Sequence, residues 1–137
     1  MLCIGNVFDE ICKKYATRDC IYFPINGEKY TYSEFHEYVN KVAKGLIAMG
    51  FTRADHIALK ASNSPQWVAM EMAAAKLGIV LVILNANLTV QELAYAMDFT
   101  QTKVCLQIIE KKVLIALFLM RNFKKCFKKV RLFLMIY

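Results

Sequence analysis

The chain has 137 residues, 58% of them hydrophobic, and a formal net charge of +7. That length supports one domain with a real core and is short for two. The charge argues for a nucleic-acid or membrane partner only until it is mapped. Residues 1–110 carry ten Lys or Arg against eleven Asp or Glu, a net of −1, while residues 111–137 carry eight basic side chains and no acidic one.

In chain order, VFDEICKKYA (residues 7–16) reads as a short amphipathic helix with Val7, Ile11 and Tyr15 on its apolar face. IYFPINGEKYTY then reads as a hairpin, with aromatic and β-branched residues on either side of Asn26-Gly27, a preferred two-residue turn. Thr31 and Glu34 stand at capping-box spacing, and Phe35, Val39, Val42, Ala43, Leu46 and Met49 follow at helical steps. Gly50 stands where a left-handed residue ends a helix.

His56 to Ala61 reads as a strand. Ser64-Pro65 opens the next helix, Ser as N-cap and Pro in the first turn, where its missing N–H costs nothing. Trp67, Met70, Ala74 and Leu77 form a stripe along it, and Gly78 closes it. Ile79 to Leu84 is an unbroken apolar, β-branched run, the pattern of a strand buried on both faces. Thr89 and Glu92 form a second capping box for a helix reaching about Phe99, and Lys103 to Ile108 reads as another apolar strand. Strands and helices alternating at short spacing predict an α/β fold, a mainly parallel sheet flanked by helices.

Residues 111–137 break this pattern, with no Gly, Pro, Ser, Thr, Asp or Glu to make turns or caps. Two readings stay open. One is a basic amphipathic helix lying on an anionic membrane, although Phe123, Phe127 and Val130 share a side with Lys124 and Arg131. The other is an out-of-frame segment, since Lys, Phe, Ile, Leu, Met and Tyr are what A/T-rich codons yield in the wrong frame. The longest apolar run, Val113 to Met120, is eight residues, against the roughly twenty that a spanning helix needs.

The residue types that carry chemistry are present without the spacing that chemistry needs. Cys3, Cys12, Cys20, Cys105 and Cys126 are odd in number and form no CxxC pair. They predict free thiols in a reducing cytoplasm and no metal site. The N-terminal stretch has no h-region and is not read as a signal peptide. Gly45 and Gly50 match a G-x4-G spacing with Thr52 beyond, but no Lys follows to reach phosphate, and Gly45 falls inside a helical pattern. His36, beside Glu34 and Glu37, is expected on a solvated helix face. Asp55 is expected as a turn residue more than as a partner of His56, and Trp67 as a packing residue. The tail lacks the polar base-reading residues of a nucleic-acid binder.

The middle of the chain resembles a known family. KYTYSEFHEYVNKVAKGLIAMGF, followed from Asp55 by DHIALKASNSPQWVAMEMAAAKLGIVLVILNANLTVQELAYAMDFTQTKV, is similar to the N-terminal part of adenylate-forming (AMP-binding) enzymes, and among them to fatty-acid–CoA ligases, the acyl-CoA synthetases. The marks are Thr31-Tyr32-x-Glu34, Met49-Gly50, Asp55, Asn63-Ser64-Pro65-Gln66-Trp67, Lys76-Leu77-Gly78 and Asn85, over about residues 20 to 108. The resemblance implies part of a three-layer sandwich, with residues 1–110 as a partial AMP-binding domain and 111–137 as a tail foreign to the family. It implies ATP, Mg and CoA as cofactors of the full-length family, used to turn a fatty acid into acyl-CoA through an acyl-adenylate.

The family's Ser/Thr/Gly-rich ATP loop ending in Pro-Lys, its acidic ribose and magnesium ligands and its catalytic lysine match no position here. No catalytic, cofactor-binding or metal-ligating residue is therefore carried over, and the expectation is a truncated N-terminal piece, inactive alone unless a second chain supplies the missing region. The alternative is a non-enzymatic α/β adaptor whose basic tail binds anionic membrane. The family also has Gly before the Asp where this chain has Ala54. If that position needs a positive φ, Ala costs about 1 kcal/mol there.

Overall fold

The computed structural model describes residues 3–102, 104–109 and 112–117. These form two compact units, one of the described residues within 3–55 and 63–79, the other of those within 56–62 and 80–117.

The first unit holds three helices and a hairpin: α1 (Ile4–Lys14), β1 (Asp19–Phe23), β2 (Glu28–Thr31), α2 (Tyr32–Ala48) and α3 (Pro65–Leu77). Local chemistry sets the helix ends as the sequence predicts. Thr31 accepts from the Glu34 N–H and Glu34 reaches back to the Thr31 N–H, a complete capping box for α2. Ser64 Oγ accepts from the Trp67 N–H at 3.2 Å to start α3, and Gly78 ends it at φ 68°. Phe35 of α2, 1% exposed, is the aromatic hub, with the rings of Phe8, Tyr30 and Tyr38 at 6.0 to 6.4 Å.

Three local expectations are corrected. The hairpin pairs Phe23 with Glu28, so its turn takes four residues, Pro24 to Gly27, where a two-residue turn is expected. Pro24 has no N–H to donate to the ladder, and the Asn26 side chain accepts from the Glu28 N–H to close the longer turn. The inward face of α1 carries buried Gly5 and Cys12 with half-buried Asp9; of the expected face, Val7 and Tyr15 are half-buried and Ile11 is 37% exposed. Apolar periodicity misplaces it because Gly5 lets α1 approach α3 and Asp9 has partners there. On α3 the buried residues are Pro65, Gln66, Ala69, Met70, Ala73 and Ala74, so Met70 and Ala74 of the expected stripe are buried while Trp67 and Leu77 are only half-buried.

The second unit is a sheet in the order β4-β3-β5-β6, made of β3 (His56–Lys60), β4 (Val80–Leu84), β5 (Val104–Ile109) and β6 (Lys112–Leu117), with α4 (Val90–Phe99). β3 pairs in parallel with both β4 and β5, and β6 turns back antiparallel on β5. The α/β class and the parallel sheet are as expected. Leu93 and Met97 of α4 pack on Ala58, Leu84 and Cys105 of the strands.

β3 is the strand in the middle, with Ile57, Ala58 and Leu59 all 0% exposed. β4, expected to be buried on both faces, is an edge strand instead. Having β3 on one side only, it leaves Val80 43% and Ile83 51% exposed. β6 falls in the segment read as a tail; residues 118–137, where the basic helix or out-of-frame readings mostly fall, lie outside the described residues.

Candidate functional site

Open parallel sheets bind ligands beyond the carboxyl ends of their strands. At that end of the second unit Lys60, the last residue of β3, stands level with Leu84 of β4 and Gln107 of β5. Lys60 Nζ donates to the Leu88 carbonyl at 2.9 Å. Asn85 Oδ1 accepts from the Asn87 N–H at 2.8 Å, and the Asn85 carbonyl accepts from the Leu88 N–H at 3.2 Å. These groups fold the β4–α4 loop onto the end of β3. Their chemistry is that of a strut holding a loop.

The residues singled out in the sequence fall at separate places. Gly45 is buried in α2 and its carbonyl accepts from the Met49 N–H, while Gly50 follows the helix at φ 87°. The G-x4-G spacing is thus the end of a helix, not a phosphate loop. Thr52 gives both its N–H and its hydroxyl to Asp55 Oδ2, at 2.6 and 2.9 Å, so Asp55 organises a turn. His56 Nδ1 donates to the Thr100 carbonyl at 2.7 Å and ties the start of β3 to the end of α4.

His36 departs from its expectation, because it is half-buried and paired instead of standing on a fully solvated face. Its Nε2 donates to Asp9 Oδ1 at 2.8 Å, and the same oxygen accepts from Lys76 Nζ at 2.5 Å. Lys76 also donates to Asn40 Oδ1 at 2.7 Å. One carboxylate therefore ties α1 to both α2 and α3. Burial pushes the Asp9 carboxyl up, but the hydrogen bonds from Lys76 and His36, with their charges, outweigh it and hold it below its ordinary 3.8. With both donors on a single oxygen, Asp9 clamps helices and is poorly placed to take a proton from a substrate. No sequence signal pointed to this cluster, since Asp9 and Lys76 are 67 positions apart.

The thiols are similarly quiet. Burial pushes Cys105 up to about 11 against the opposing influence of Lys60, and burial with neighbouring Cys20 and Asp9 pushes Cys12 up to about 11. Both stay protonated, and so weakly nucleophilic, at neutral pH. Among the described residues no group of three or more His, Cys, Asp or Glu is placed to hold a metal ion. No helix among them is long and apolar enough to cross a membrane.

Comparison with known proteins supplies what the geometry lacks. A family model described as AMP-binding enzyme matches residues 8–131. YngI of Bacillus subtilis is 39% identical over 92 residues, 67% of this chain and 17% of that protein. Medium-chain acyl-CoA ligase ACSF2 of Danio rerio is 36% identical over 89 residues, 65% of this chain and 15% of its own. The chain thus spans about a sixth of the length of the curated relatives it matches.

Among solved structures, the N-terminal domain of FACL13 from Mycobacterium tuberculosis superposes with a TM-score of 0.75 at 26% identity, covering 78% of this chain and 27% of that one. The N-terminal subdomain of Klebsiella oxytoca NpsA gives 0.73 at 24% identity, over 77% of this chain and 27% of that one, and shows the shared fold. The chain belongs to the AMP-binding enzyme family, and what it matches there is the N-terminal region of acyl-CoA synthetases and ligases.

Proposed function

We propose that this chain is a truncated N-terminal piece of an ATP-dependent acyl-CoA synthetase and has no activity alone. The full enzyme would join a fatty acid to ATP, releasing pyrophosphate, and pass the acyl group from the adenylate to the CoA thiol. The observation that carries this reading is the match itself: most of the chain aligns to a small share of each relative. The described polar groups support it, because Lys60, His56, Asp55 and Asp9 each hold together parts of the scaffold. A scaffold contributes sheet and helices to a site whose ATP-, magnesium- and CoA-binding groups come from elsewhere.

Such a piece regains activity only if a complementing chain supplies the ATP loop ending in Pro-Lys. Its free thiols support a cytoplasmic setting. The test is titration of the purified chain with ATP and with a non-hydrolysable acyl-adenylate, alongside trapping of acyl-adenylate by hydroxylamine. No binding and no trapped product are expected. Micromolar binding of either ligand overturns the reading. So does the absence of the Ser/Thr/Gly-rich loop from all three frames of the downstream DNA.

The adaptor reading makes a separate prediction, salt-sensitive binding to anionic liposomes that is lost when residues 111–137 are deleted.

A further inference from the structure

We draw no further inference here: the strongest candidate, the apolar groove along α1 lined among the described residues by Cys3, Ile4, Val7, Phe8 and Ile11, is an apolar helix face, and nothing in the structure shows what covers it.

Discussion

Ala54 sits at φ 69°, in the left-handed region that L side chains avoid. It is held there by the tertiary structure: its N–H donates to the Gly78 carbonyl at 2.9 Å, and the Thr52–Asp55 turn closes around it. The left-handed conformation costs an L-residue roughly 1–2 kcal/mol, a strain that glycine does not feel. Glycine gives back about 0.4–1 kcal/mol through the greater freedom of the unfolded chain. Ala54→Gly should therefore stabilise the chain by a net of about 1 kcal/mol.

In urea, a slope of roughly 1.5 kcal/mol/M turns this into a midpoint higher by about 0.7 M at unchanged slope. The melting temperature should rise by about 3 °C. Ala54→Val, whose branched side chain suits that conformation less, should move both in the other direction. An unchanged or lowered midpoint for Ala54→Gly refutes the claim that Ala54 is strained.

Asp9→Asn removes a charged acceptor from Lys76 and His36 and should cost roughly 2 kcal/mol near neutral pH. Because the folded Asp9 carboxyl lies below its ordinary 3.8, its contribution is in place above that value and is lost as pH falls through the folded one. Urea midpoints of the two proteins should thus differ at about pH 5 and converge in stronger acid. Gly5→Ala should destabilise by about 1 kcal/mol although alanine is the better helix former, since the new Cβ would lie 2.8 Å from Lys76 Cα. A more stable Gly5→Ala in the same denaturation assay would show that α1 and α3 do not approach so closely. Mass-spectrometric thiol labelling of the native chain at neutral pH should modify exposed Cys3 first and leave buried Cys12 and Cys105 unmodified until denaturant is added.

What could be read in the sequence was what depends on neighbours within a few residues. Thr31 with Glu34, Thr89 with Glu92, and Ser64 with Pro65 each satisfy open backbone groups inside a single turn, and the helices start there. The apolar steps of α2 from Phe35 to Leu46 gave its buried face correctly, since that helix meets its surroundings with aliphatic and aromatic side chains. The order of strands and helices was enough to imply a parallel sheet, and the departure at Ala54 pointed to one of the two positive-φ non-glycine residues among the described residues, the other being Gln101. The marks of the AMP-binding family are of the same local kind, which is why they identify the family from short stretches of the chain.

Tertiary structure alone decided that HIALK is the central strand and the wholly aliphatic VLVIL lies beside it with one strand partner among the described residues, and which faces of α1 and α3 turn inward. β3 is buried because β4 and β5 both pair with it, and β4 is exposed because only β3 does; no property of VLVIL distinguishes those cases. α1 turns Gly5 and Asp9 inward because Lys76, His36 and the backbone of α3 come to meet them from distant parts of the chain. Periodicity reports how much of a helix is apolar. A small residue that admits a close approach, or a carboxylate with two donors waiting, has its meaning only once the partner has been brought to it.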